Sequence, residues 1–151
     1  MLSEDKVIIP ENLIILAKKT PNLPVAIICA HHETTMESTK KASDLNLINP
    51  TFIGKKELIK KEADKLKWDI NNYNIIHHNS DQDSAIAGAK LAKDNKIKVI
   101  IKGNLHTDIL MKVYLKKEYG LIEGKRLSHI WHMTTKGNSK PLFITDGALN
   151  V

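Results

Sequence analysis

The sequence predicts a three-layer α/β/α domain with a mostly parallel sheet, followed by a β-hairpin that begins a second domain. Two observations carry this. Between Val25 and Lys117, short apolar runs alternate with amphipathic stretches, the pattern of parallel strands covered by helices on both faces. After Gly124 the rhythm changes. Residues 127–133 and 141–145 are two apolar runs whose linker is too short for a crossover helix, so they are expected to pair antiparallel.

Each element has its own signal. Pro10 suits the first turn of a helix, Leu13, Ile14 and Ala17 give it a short apolar stripe, and Pro21 and Pro24 end it. Residues 25–30 form the first strand. Residues 33–45 form a helix with a thin apolar face of Met36, Ala42 and Leu45. Residues 50–54 are a brief strand ended by glycine, and residues 55–66 a helix with Leu58, Ile59, Ala63 and Leu66 on one face. Residues 74–77 are the third strand. Asp81 or Asp83 then caps a helix running to about residue 94, where Ala85, Ala89 and Ala92 let it lie close on the sheet. Residues 96–102 are the fourth strand. The helix of residues 107–117 follows, with Ile109, Leu110, Val113 and Tyr114 inward and Gly120 as its C-terminal cap.

Composition narrows the function classes. A length of 151 residues suits one domain, or one domain and the start of another, and 42% hydrophobic with 26% charged residues suits a packed core with a soluble surface. No apolar run reaches the length of a membrane helix, and two acids near the N-terminus argue against a secretion signal. The single cysteine, Cys29, rules out an intrachain disulfide, fits a reducing cytoplasm and reads as a buried, inert thiol. The net charge of +6 invites nucleic acid as a partner. Arg126, however, is the only arginine among 23 basic residues, the lysines are scattered over every helix, and aromatics are 5%. Direct base readout leans on arginine, so the positive field is read as favouring a small anionic substrate instead.

The candidate site lies at residues 99–108, where an apolar run stops at Gly103 and a helix-start signal follows. Glycine lets the backbone approach a ligand, and the next helix offers N–H groups, so Gly103, Asn104, His106 and Thr107 are expected to cup an anion, with Thr107 capping the helix. Lys102 ends a buried strand and needs a partner or a wet cleft. Arg126 is the one side chain able to grip a phosphate with two parallel bonds. Ser128 and His129 are strand neighbours pointing to opposite faces, and so are no hydrolase pair. Trp131 and Met133 read as packing residues, and Trp68 as folding over the end of the helix before it. His31, His32 and Glu33, with His77 and His78, tempt a metal reading, but no metal-ligand spacing supports it; His31 or His32 lining the substrate cleft is the better reading.

The segments Lys102-Gly103-Asn104-Leu105-His106-Thr107-Asp108, Gly120-Leu121, Arg126-Leu127-Ser128-His129 and Phe143-Ile144-Thr145-Asp146-Gly147-Ala148-Leu149-Asn150 together resemble the phosphate acetyltransferase and phosphate butyryltransferase family. The likeness runs from about Pro24 to the last residue. It implies a fold like that of isocitrate and isopropylmalate dehydrogenases. It also implies a reaction in which acyl-CoA and phosphate exchange with acyl phosphate and coenzyme A. Coenzyme A is then a substrate, and neither a metal nor a covalent acyl-enzyme is needed. Acetyl is the first expectation for the acyl group and butyryl the second.

The same resemblance implies two domains with the active site between them, commonly in a dimer. Thr145, Asp146 and Asn150 match the segment that borders the cleft, and Ser128, two residues after Arg126, is a further substrate-binding candidate. Family members are longer and carry a Ser-Arg-Gly motif that is absent here, so no catalytic residue is assigned. The chain is read as an amino-terminal half: residues 1–126 as the first domain, residues 127–151 as a hairpin starting a truncated second one. The alternative is a non-catalytic anion-binding or complementing subunit. Either way, the hairpin is expected to show an unpaired edge and an apolar face, which favours a homodimer or a complementing chain.

Overall fold

The computed structural model describes residues 9–122, 124, 127–134 and 140–150. Four strands, β1 (Leu23–Ile28), β2 (Ile48–Gly54), β3 (Asn74–His77) and β4 (Val99–Lys102), form a parallel sheet in the order β3-β2-β1-β4. The helices are α1 (Glu11–Ala17), α2 (Glu33–Asp44), α3 (Lys56–Lys65), α4 (Asp81–Lys93) and α5 (Thr107–Tyr114), with a short 3-10 turn at Lys117–Tyr119. A separate antiparallel pair, β5 (Ser128–Met133) and β6 (Leu142–Asn150), completes the architecture.

The middle of the sheet is buried on both sides because β1 is apolar at every position from Val25 to Ile28. Val25 and Ile27 face α2 and α3, in a core with Met36, Phe52, Ile59, Ala63, Trp68 and Ile70. Ala26 and Ile28 face the other way, against Ala85 and Ala89 of α4 and Leu110 and Val113 of α5. Trp68 does more than close a helix end: it stands edge-on to Phe52 at 5.6 Å and to Tyr73 at 5.5 Å. The small face of α4 works as its composition requires. Gly88 lies so close to the sheet that a Cβ there would sit 2.5 Å from Ile28 Cδ1.

Several local expectations are corrected. The cap of α4 is Ser80, whose Oγ accepts from the Asp83 N–H at 3.0 Å while donating to the Asp83 carboxylate at 2.7 Å. β1 ends at Ile28 because Cys29 turns into the left-handed region, at φ 53°. The last helix stops at Tyr114, and Gly120, at φ 64°, ends the 3-10 turn after it. Leu58 is exposed, leaving Ile59 and Ala63 as the buried face of α3. No residue of α1 is buried. Trp131 and Met133 are not packing residues: they are 60% and 45% exposed on β5.

Candidate functional site

The strand order sets the site. From β1 the chain leaves through α2 toward β2, whereas β4 arrives on the opposite side of β1, so the loops after β1 and β4 diverge from adjacent strand ends. Open α/β sheets bind ligands outside the carboxyl ends of the strands at such a reversal. A polar pocket of about 390 Å³ lies there, lined by His31, Lys55, Asp81, Asn104, Leu105 and His106. Every strand end contributes: His31 follows β1, Lys55 follows β2, Asp81 follows β3, and Asn104 to His106 follow β4.

The loop after β4 is braced against β1. The Gly103 N–H donates to the Ile28 carbonyl and the Asn104 N–H to the Cys29 carbonyl, both at 2.8 Å, and the Leu105 N–H to the Gly103 carbonyl at 3.1 Å. Gly103 is therefore required for a different close approach than a ligand's. A Cβ at this position would lie 2.3 Å from the Cys29 carbonyl oxygen and 2.7 Å from that of Ile28. Lys102 is exposed, correcting the expectation of a buried lysine, because β4 is an edge strand. Its Nζ donates to the Leu105 carbonyl at 2.8 Å and so ties the loop down. Thr107 is the first residue of α5 and His106 holds the cap position, with no side-chain cap bond. The Asp108 carboxyl pairs with Lys112 and takes N–H groups of the helix's own first turn, which lowers its pKa.

The donors left to face the pocket are side chains. The Lys55 ammonium has no hydrogen-bond or ion-pair partner among the described residues, and the same holds for the imidazole of His106 and the side-chain amide of Asn104. His31 is half-buried, its Nδ1 is buried without a partner among the described residues, and burial lowers its pKa below the ordinary histidine value. Asp81 is the acid among them. It accepts from the Cys29 thiol at 3.5 Å, and burial first, then the Asp81 charge, pushes that thiol up to about 11. Cys29 is thus a neutral thiol supporting the pocket floor, with no thiolate to offer as nucleophile.

His77 Nδ1 accepts from the Lys56 N–H at 3.2 Å and caps α3, and its Nε2 bonds Asn79 at 3.1 Å. Among the described residues no three His, Cys, Asp or Glu side chains group to hold a metal ion. Ser128 and Thr145 are exposed on the hairpin and do not line the pocket. Arg126 lies outside the described residues, as do the side chains of Asp146 and Asn150. Lys55 was not singled out by sequence, and Asp81 was read only as a candidate helix cap. Their signal was position, since each closely follows the end of a strand.

No family model matches the chain. Among curated proteins it is 31% identical to the phosphate acetyltransferase of Rickettsia typhi over 140 residues, 93% of this chain and 40% of that protein. It is 29% identical to the phosphate butyryltransferase of Clostridium beijerinckii, covering 46% of it. The chain is similar to the amino-terminal half of the phosphate acetyltransferase and butyryltransferase family. It spans less than half the length of these relatives. Solved structures agree on the fold. A phosphotransacetylase from Streptococcus pyogenes matches with a TM-score of 0.68 at 15% identity, over 90% of this chain and 51% of that one. A branched-chain phosphotransacylase from Enterococcus faecalis matches at 0.63 and 20% identity, over 85% of this chain and 44% of that one. No described helix is long and apolar enough to cross a membrane.

Proposed function

We propose that this chain supplies the phosphate-binding wall of a phosphate acyltransferase, in which acyl-CoA and phosphate give acyl phosphate and coenzyme A. The observation that carries the reading is the convergence of His31, Lys55, Asn104 and His106 on one pocket at the carboxyl ends of the strands. Lys55 offers charge to phosphate oxygens, and the His106 imidazole and Asn104 amide donate further bonds. Burial favours the neutral form of His31, whose ring lines the pocket as a hydrogen-bonding group. In direct acyl transfer the protein's work is positioning and charge stabilisation, which this set of donors can supply.

Lys102 and Gly103 shape the loop, and Thr107 opens the helix behind it. Arg126, Ser128, Thr145, Asp146 and Asn150 remain in the proposal as residues bordering the cleft from the second domain's side, with the boundary at about residue 126. The acyl group is acetyl first and butyryl second, coenzyme A is a substrate, and the setting is cytoplasmic. A homodimer or a complementing chain completes the site.

The test is calorimetric titration of phosphate and acetyl phosphate into the chain. Lys55→Met and His106→Ala should each weaken binding about 10-fold, the worth of one charge-assisted bond. Asp81→Asn should tighten it by removing a like charge. Unchanged affinity in both variants would sink the reading. A thioester absorbance assay should show no turnover by the chain alone, since the Ser-Arg-Gly segment is absent from it; turnover would overturn that expectation. A non-catalytic anion-binding subunit is the second reading, favoured by the loop amides already spent on β1. Phosphate binding with no turnover even beside a complementing half would select it.

A further inference from the structure

The pocket at the strand ends holds one group that a plain anion site would exclude, the Asp81 carboxylate. His31, Lys55, Asn104 and His106 bring a charge and hydrogen-bond donors from three strand ends, and Asp81 enters from the fourth. It stands in the first turn of α4, where the helix N-terminus favours a carboxylate. Its Oδ1 accepts from the Cys29 thiol at 3.5 Å, and burial pushes that thiol up to about 11, so it stays a donor at neutral pH. The second carboxylate oxygen has no hydrogen-bond or ion-pair partner among the described residues, and Lys55 shares the pocket without pairing to it.

We propose that Asp81 sets the specificity of this pocket: its unengaged oxygen accepts the O–H that inorganic phosphate retains, and so selects phosphate from anions of like shape that carry no proton. This inference rests on the phosphate reading above and deepens it by naming the species held. Inorganic phosphate keeps at least one O–H throughout the neutral range, whereas sulfate, a tetrahedral dianion of similar size, keeps none. The donors serve the phosphate oxygens that lack a proton. The protonated one needs an acceptor, and Asp81 is the carboxylate that lines the pocket. A fully ionised anion would bring an oxygen against that carboxylate with no hydrogen between them, which like charge and lost solvation both oppose. The dianion of an acyl phosphate has no O–H either, so the same residue favours the entering phosphate over the acyl phosphate formed. A structural role alone, holding the Cys29 thiol, would use Oδ1 and leave the choice of anion untouched.

Calorimetric titration of phosphate and of sulfate into the full chain, at one pH and one ionic strength, tests this. Phosphate should bind about 10-fold or more tighter than sulfate, the worth of a hydrogen bond to a charged group. Asp81→Asn should tighten sulfate more than phosphate and bring the two within about 2-fold, because an amide can donate to an unprotonated oxygen as well as accept from an O–H. Asp83→Asn removes the same charge two residues along, where the carboxylate is engaged by Ser80 at 2.7 Å and does not line the pocket, and should leave the ratio unchanged. The wild-type ratio decides even if a variant misfolds. Equal affinity of the wild-type chain for both anions overturns this inference and leaves the phosphate reading standing, as does a ratio that survives Asp81→Asn. An equal collapse in Asp83→Asn overturns it too, since the cause would then be general charge. Binding of neither anion overturns both readings.

Discussion

The chain's two phenylalanines and two tryptophans divide evenly between its two sheets, and their fates are opposite. Phe52 is fully buried and Trp68 is 8% exposed beside the parallel sheet, whereas Phe143 and Trp131 are 59% and 60% exposed on the hairpin. Strands pair in both places: Trp131 sits across from Ile144, and His132 stacks edge-on with Phe143 at 5.0 Å. What differs is the layer above and below. The parallel sheet has helices on each face, while both faces of the hairpin carry exposed apolar side chains, Ile130 on one and Trp131 and Met133 on the other. Cross-strand contacts alone are worth a few tenths to about 1 kcal/mol each, so the stability of this molecule resides in the covered sheet.

Phenylalanine truncation is the strongest attempt to break that contrast. Phe52→Ala removes a ring packed edge-on against both Trp68 and Tyr73 and should cost about 3–5 kcal/mol in urea unfolding followed by circular dichroism. Phe143→Ala should cost less than about 1 kcal/mol. Equal losses would mean that the hairpin is part of the same cooperative core. Acrylamide quenching sharpens the point, since Trp131 emission should be quenched freely and Trp68 emission hardly at all.

Glycines offer the next contrast. Gly103→Ala drives a Cβ into two carbonyl oxygens of β1, rigid backbone that cannot yield, and should cost about 3 kcal/mol or more while shifting the pocket loop. Gly147→Ala meets nothing nearer than His129 Nε2 at 3.9 Å and should be neutral within about 0.5 kcal/mol. A tolerated Gly103→Ala would show that the loop is not braced as described.

Local periodicity made much of this legible. The four strand–helix units and the antiparallel hairpin follow from apolar spacing and a short linker, and the third strand, Asn74–His77, has the bounds its sequence announces. Pairing order is tertiary and carried no local signal. Lys102 was therefore read as the end of a buried strand, although β4 occupies an edge. The same gap hid Lys55 and Asp81, which lie 26 positions apart in the chain and meet His31 only because the sheet gathers its strand ends. Ser80, Asp81 and Asp83 are three competent caps in four positions, and only the backbone turn at Ser80 chose between them. The open faces of the hairpin were foreseeable in kind, since apolar residues occupy both alternations of β5. Trp131 and Met133 were nevertheless assigned to packing for want of any record of what lies above them.

A smaller effect separates histidine roles within the covered sheet. His77 joins the end of β3 to the first turn of α3 by accepting from the Lys56 N–H. His77→Ala should cost about 1 kcal/mol, the worth of a helix cap, and leave phosphate affinity unchanged. His31→Ala should do the reverse, because its ring lines the pocket and its buried Nδ1 bonds nothing among the described residues. Thermal melts and titrations on the same two variants read both quantities.

Cys29 tests the junction most gently. Its thiol is buried at the carboxyl end of β1 and raised to about 11 by burial and the Asp81 charge, so the folded chain holds this proton more tightly than the unfolded chain does. The sign follows from that difference. The stabilisation is fully present below pH 9, the thiol's ordinary value, and is lost as pH rises from 9 toward 11. At pH 8 iodoacetamide should therefore label native Cys29 about 100-fold more slowly than the urea-unfolded chain, in step with the thiolate fraction and before any shielding is counted. Asp81→Asn should speed labelling, because removing the neighbouring negative charge lets the thiol ionise sooner. If labelling in that variant slows instead, the carboxylate does not face Cys29, and the floor assigned to the pocket is wrong.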